Sequence, residues 1–238
     1  MKKLLIVILF SSFFFTSCAQ KFNLGNIAEA VLGSSGELST SDIAAGLREA
    51  LVKGVSVGSE MASKENGYFS NAKIKIPFPE EVQRVEKALR NIGLGNEVDK
   101  FVLTLNRGAE EAAKEAKPIF VAAIKKMTIT DAISILKGDQ DAATKYLTRT
   151  TTPELIALFS PVVEKALAKT GATKNYSDIA NVYNKIPFSN KVNPDLLGYA
   201  TQKAIDGLFS MIADEEAKIR KDPMARTSDL LKRVFENK

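Results

Sequence analysis

The sequence predicts an all-α protein, a multi-helix bundle of about nine or ten helices with at most a short two-stranded extended pair. Three observations carry this. Apolar residues recur at helical spacing through most of residues 38–238. Helix-start signals (Ser39 with Asp42, Thr152-Pro153-Glu154, Asn193-Pro194-Asp195) stand ahead of those runs. Alternation with a period of two is confined to one stretch, Ala72–Phe78.

Residues 1–17 read as a lipoprotein signal peptide. Lys2 and Lys3 precede an apolar run from Leu4 to Phe15, interrupted by Ser11 and Ser12. A membrane span takes about 20 apolar residues, so this shorter run with basic flanks fits a secretory signal. Phe15-Thr16-Ser17-Cys18 resembles the bacterial lipobox: a large apolar residue, two small residues and the modified cysteine. Cys18 is the single cysteine of the chain, so no internal disulfide can form. Several acyl chains on Cys18, at about 0.8 kcal/mol per buried CH₂, would hold the protein to a membrane far more firmly than one chain. Ala19 and Gln20 follow, with no aspartate to argue for retention in the inner membrane. The expected location is the bacterial cell envelope, lipid-anchored in the outer membrane and facing the periplasm. Residues 18–37 read as the lipidated tether, with a helical piece at Ile27–Leu32 and a flexible Gly33-Ser34-Ser35-Gly36 linker. Residues 38–238 read as a single helical domain.

Within that domain, Ser39 caps a first helix whose inward stripe is Ile43, Leu47, Ala50, Gly54, Val57 and Met61. Gly46, Gly54 and Gly58 weaken it and let another helix approach closely; Asn66-Gly67 ends it. Lys73, Lys75 and Pro77 then alternate with Ile74, Ile76 and Phe78, and Pro77 limits that stretch to a sheet edge or a bare extended segment. Pro79-Glu80-Glu81 opens a helix with Val82, Val85, Leu89 and Ile92 inward. Val98, Phe101, Leu105, Ala109, Ala112 and Ala116 mark the next, and Ile119–Ile124 reads as a buried helix. Thr128 or Thr130 opens another, with Ile129, Ile133 and Leu136 inward and Gly138 past its end. Asp139 caps a short helix through Leu147. Thr152-Pro153-Glu154 starts a separate longer one that closes near Gly171. Asp195 starts a helix that runs to Lys221, where Pro223 stops it, and Thr227–Phe235 is the last.

Composition removes whole classes of chemistry. The chain has no His and no Trp, which excludes serine–histidine and cysteine–histidine catalysis and every histidine metal site. The net charge of +5 falls to +3 without Lys2 and Lys3, and the charges are interspersed. No nucleic-acid partner is implied, and no cofactor or metal.

Two polar clusters remain as candidate sites. In the first, Asn106 and Glu110 sit one turn apart on a helix, with Arg107 in reach of Glu110 or Glu111 and small residues around them. In the second, Glu216 and Arg220 form an i,i+4 pair ahead of Asp222 and Pro223. Each reads either as intrahelical pairing or as a pocket for an anionic ligand. Lys75-Ile76-Pro77-Phe78 recurs as Lys185-Ile186-Pro187-Phe188, and Glu110-Glu111-Ala112 as Glu215-Glu216-Ala217. Two related halves, or chance repetition of short words, both account for this. Under duplication the acidic pairs would face each other and offer a carboxylate pair for acid–base chemistry or a hard-cation site. Tyr68, Phe78, Tyr183 and Phe188 flank the repeated words and are candidates for an apolar groove, or for core packing.

Several longer words give a family resemblance: Glu49-Ala50-Leu51, IKIPFP at 74–79, NRGAEEAA at 106–113, PIF at 118–120, DAISILKGDQDAATKYL at 131–147 and EAKIRKDP at 216–223. Together they resemble an uncharacterised bacterial envelope family, the domain of unknown function DUF4197, from Leu38 to Phe235. Gly108 departs from the alanine expected there, a change that would loosen that helix crossing. The resemblance implies one all-helical domain of secreted or lipidated origin and brings no catalytic residues. Three functions stay open. The first is a non-catalytic lipoprotein that is held to the membrane through Cys18 and binds a protein partner or an apolar or anionic ligand. The second is a carboxylate-dependent enzyme using Glu110 and Glu216, and the third a structural envelope component.

Overall fold

A computed structural model describes residues 38–80, 83–169, 171–185 and 191–236. Among these the chain forms nine α-helices: α1 (Thr40–Ser63), α2 (Gln83–Asn91), α3 (Gly95–Ala113), α4 (Ala116–Lys126), α5 (Ile129–Lys137), α6 (Ala142–Ala168), α7 (Ala172–Tyr183), α8 (Leu196–Lys221) and α9 (Asp229–Glu236). A 3₁₀ turn at Pro223–Ala225 joins α8 to α9. No strand forms among the described residues, so the all-α expectation holds. No described helix is long and apolar enough to cross a membrane. The expected signal peptide, Cys18 and the tether lie outside the described residues.

The centre is α8, half of whose residues are buried. It packs against α1 on one side and α6 on another, and α3 leans on both α6 and α8. Antiparallel packing of α1 and α8 follows from their close approaches: Gly54 faces Glu215 and Ile219, and Gly58, one turn later, faces Ile212. Gly46 meets Val234 of α9 in the same way. The three glycines of α1 therefore do what their spacing suggests, removing side chains where a second helix must come near. At the helix end, Asn66 takes a left-handed φ of 66° and Gly67 folds back beneath the last turn, its N–H donating to the Lys64 carbonyl.

Helix starts follow the local chemistry. Ser39 and Asp42 form a reciprocal capping box on α1, and Thr128 and Asp131 form another on α5. Asp195 caps α8 by accepting from the Gly198 N–H at 2.8 Å.

The largest departure from the sequence reading is α6. Two helices were expected across 139–171, but one runs unbroken through Pro153 and Pro161. Its buried residues recur every fourth position from Ala143 through Leu147, Thr151, Leu155, Phe159 and Val163 to Leu167. A step of four overshoots a 3.6-residue turn by about 40°, so this stripe winds around the helix. Different turns can then meet different neighbours, and α6 packs against α3, α4, α5, α7 and α8. Both prolines face solvent, so the carbonyls they leave without an N–H partner, at Arg149 and Ala157, face water.

Smaller departures share one cause. Ile92 and Ile129, expected inward, are 71% and 44% exposed, and Met61 is 44% exposed. Each sits at a helix end, where the apolar period continues past the neighbour that would cover it. Helix α4 buries only Ala116, Phe120 and Ile124 rather than its whole circumference. Helix α7 was not read from the sequence; its visible stripe is only Tyr176 and Ala180.

Two predictions follow from this packing. A Cβ on Gly207 would lie 2.6 Å from the Tyr68 ring, so Gly207→Ala is expected to lower stability by about 1–3 kcal/mol. Gly95→Ala, whose Cβ would meet nothing closer than Arg90 at 3.8 Å, leaves it unchanged or slightly raised; urea denaturation of both variants checks the contrast. Separately, the Ser39 hydroxyl and amide hold the Asp42 carboxyl below its ordinary 3.8, and the Thr128 hydroxyl and amide do the same for Asp131. A depressed acid stabilises above its unfolded-state pKa and loses that contribution as pH falls through the folded value. Amide exchange in the first turns of α1 and α5 should therefore accelerate below about pH 3.8 before that of α8 does.

Candidate functional site

Asn106, Arg107 and Glu110 do come together, on α3, and what they hold is the chain itself. Asn106 is fully buried. Its Oδ1 accepts the Ile76 N–H at 2.8 Å and its Nδ2 donates to the Ile76 carbonyl at 2.9 Å. One side-chain amide thus supplies both hydrogen bonds that a neighbouring strand would give, which is how Lys75–Pro77 stays extended with no sheet. Glu110, 4% exposed, accepts the Tyr68 and Phe69 N–H groups, each at 3.1 Å, on Oε1, while Oε2 pairs with Arg107. Arg107 also reaches Asn66 at 3.0 Å and Glu65 at 3.3 Å. The ring of Tyr68 lies against Gly207, and its hydroxyl donates to the Ala204 carbonyl at 2.6 Å. Burial raises the pKa of that hydroxyl, and the charges of Glu110 and Asp206 raise it further. Residues 66–76 are strapped down at both ends.

Glu216 and Arg220 form the second cluster, with side chains 5% and 3% exposed. Glu216 accepts the Ala143 N–H at 3.0 Å and the Thr144 N–H at 2.8 Å, which are free donors in the first turn of α6. The Thr144 hydroxyl adds a third bond at 2.8 Å. Arg220 donates to Glu216 at 2.9 Å, to the Ile135 carbonyl at 2.9 Å and to the Leu136 carbonyl at 3.4 Å, at the end of α5. Asp139, expected to cap this helix, pairs instead with Lys145, as does Asp141. The true cap is Glu216, 73 and 72 residues from the two amides it accepts and so out of any local reach.

The two clusters share no hydrogen-bond partner and are not brought together. Tyr68, which Glu110 holds, packs at Gly207, and Glu216 lies nine residues further along α8, about 13 Å along its axis. Among the described residues no group of three or more His, Cys, Asp or Glu could hold a metal. Asp222 is exposed and caps the 3₁₀ turn through the Met224 N–H at 2.9 Å. Of the proposed apolar groove, Tyr68 and Phe78 are core residues, 0% and 7% exposed, with Phe78 against Phe101 at 5.0 Å. For these two the core-packing alternative describes what the structure shows. The Tyr183 side chain and Phe188 lie outside the described residues.

An open groove lies beside the first cluster, and Arg107, Gly108, Glu110 and Glu111 are part of its lining. It runs between α3 and the last turns of α6 and encloses about 800 Å³. Leu103, Gly108, Val162 and Ala166 contribute its apolar lining, and five cations and three carboxylates its charged lining. Glu65 and Glu110 pair with Arg107, and Glu111 pairs with Lys114. Lys100, Lys165 and Lys169 remain, with no acidic partner among the described residues. Lys100 is more than 60 residues from the other two in the chain, so only the helix crossing reveals the three as a set. Gly108, expected to loosen that crossing, tightens it: a Cβ there would lie 3.1 Å from the Ala166 Cβ.

The fold and these contacts define a single-unit helical domain (residues 38–238) in which the buried acids Glu110 and Glu216 accept from backbone amides. A family model described as "Protein of unknown function (DUF4197)" matches residues 37–236. The chain belongs to that family. No curated protein and no solved structure matches it.

Substitutions in the clusters should act on folding. Glu216→Gln leaves Arg220 as an uncompensated buried charge and turns an amide donor towards N–H groups, at an expected cost of about 3–5 kcal/mol. Asn106→Ala orphans both backbone groups of Ile76, for about 2–4 kcal/mol. Glu111→Gln, whose side chain is 62% exposed, costs about 0.5 kcal/mol or less. Chemical denaturation of the three variants ranks them; equal stabilities would show that the clusters do not hold the fold.

Proposed function

We propose that this protein is a non-catalytic lipoprotein of the bacterial cell envelope, anchored in the outer membrane through lipid on Cys18, whose helical domain faces the periplasm and binds a partner or an anionic ligand. The observation that carries the non-catalytic reading is the saturation of Glu110 and Glu216. Each accepts two adjacent backbone N–H groups and pairs with an arginine of its own helix. A general acid or base must be free to exchange a proton with a substrate; these two carboxylates are committed to the fold. The lone cysteine directly after Phe15-Thr16-Ser17 supports the anchor. The open groove supports binding of an anionic ligand over an apolar one, because its charged lining is in cationic excess. The cavity at Leu47, Ile212 and Phe235 measures about 20 Å³, room for about one water molecule and not for an acyl chain.

Native mass spectrometry of the protein purified from its own membranes tests this reading. The expected mass is that of a chain beginning at Cys18 plus its lipid, with Cys18→Ala retaining residues 1–17 and losing the lipid mass. A mature chain of bare polypeptide mass would overturn the anchor.

A further inference from the structure

The groove between α3 and α6 has two features that together narrow what fits it. Its free cations are spread out. Lys165 and Lys169 flank Ala166 at the crossing with Gly108, and Lys100 lies eight residues from Gly108, about 12 Å along α3. The lysines come from two different helices, an arrangement that suits a ligand with several negative charges along its length. The apolar part of the lining is aliphatic, with Leu103 and Val162. It offers no aromatic face on which bases stack, the usual device for single-stranded nucleic acid, and its one arginine fork, Arg107, is already occupied by Glu65, Asn66 and Glu110. An amphipathic polypeptide with carboxylates along its flanks and aliphatic side chains beneath matches the lysine rims and the apolar lining at once.

We infer that this groove docks an acidic amphipathic segment of a partner protein, with Lys100, Lys165 and Lys169 as its charge contacts. The inference rests on the reading of the domain as a binding module, and it is independent of the lipid anchor. The three lysines are solvent-exposed and have no acidic partner among the described residues, so reversing their charge leaves the described core contacts in place.

The test uses the full chain in detergent and a fluorescent synthetic peptide of leucine and glutamate with helical spacing. The comparators are the same peptide with glutamine for glutamate, inorganic phosphate, and vesicles of phosphatidylglycerol. The glutamate peptide is expected to bind, to weaken as salt is raised, and to lose roughly tenfold or more in affinity with the Lys165→Glu/Lys169→Glu pair, two reversed contacts at roughly 1.4 kcal/mol per tenfold. Lys87→Glu/Lys117→Glu, the same charge change at exposed lysines outside the groove, leaves it unaltered. Circular dichroism melts of both pairs matching the parent keep a folding defect from imitating the result. The inference is overturned if the glutamate peptide fails to bind or binds no better than its glutamine form, or if the two lysine pairs behave alike. It is equally overturned if phosphate competes the peptide off at comparable concentration, or if the vesicles take up the protein through Lys165 and Lys169 while the peptide does not. A failed peptide assay with an intact lipid mass at Cys18 sinks this inference and leaves the anchor standing; bare mature polypeptide with intact peptide binding does the reverse.

Discussion

The pair of Glu216 and Arg220 joins three helices at one buried point. Removing both charges from water costs several kcal/mol per ion, and the geometry offsets it by giving each ion a helix terminus of opposite sign. Glu216 meets the amides that open α6, and Arg220 meets the carbonyls that close α5. Helix α5 has only nine residues, well short of the length at which a helix is stable alone. Its end is held, and the direction in which the chain leaves it is set, by a residue on α8. Reversing either helix would place like charge against like dipole, so the pair selects the topology as well as stabilising it.

The same device recurs around the bundle. Arg48 caps the end of α4 through the Met127 carbonyl at 2.6 Å, and Arg226 caps α8 through the Ile219 and Arg220 carbonyls at 3.1 and 3.0 Å. Lys53 reaches the Ala225 carbonyl at 2.5 Å. Glu110 and Asn106 extend it from helix ends to a loop. A bundle of short helices joined by tight turns buries many terminal N–H and C=O groups that no local residue can reach. Long side chains from neighbouring helices satisfy them, which is why so many charged residues here are structural. The polar groups that end up without this duty are the informative ones for function, and the three groove lysines with no acidic partner among the described residues belong to that class.

This division explains what could be read from the sequence. Helix starts at Ser39, Thr128 and Asp195 were legible because donor, acceptor and spacing all lie within four residues. The close approach of α1 to other helices was legible in its three glycines, two of which face α8 and one α9. The continuity of α6 was not, because the proline rule is local while the stripe that overrides it is set by five neighbours. The extended Ile76 was visible as alternation, but its partner, a buried asparagine 30 residues later, carries no pattern of its own. The acid–base words at 106–111 and 214–220 drew attention as chemistry because sequence shows which charges are adjacent, not which backbone groups they reach. Lys100, Lys165 and Lys169 escaped notice for the converse reason, since nothing adjacent marks a lysine as unpaired.

Gly108 links the core to the groove. With no side chain there, α3 and α6 approach to a distance at which an added Cβ would crowd Ala166 and touch Val163 at 3.6 and 3.9 Å. That approach carries Lys165 and Lys169 towards the row formed by Lys100, Arg107 and Lys114. Two residues to either side of Gly108, Asn106 and Glu110 fix the strap of residues 66–76, and Glu110 also neutralises Arg107. The groove's charge is therefore set from beneath: the strap consumes the arginine and leaves the lysines. A substitution that frees the strap would at once release Arg107 and change what the groove attracts, so the binding surface and the fold cannot vary independently at this crossing.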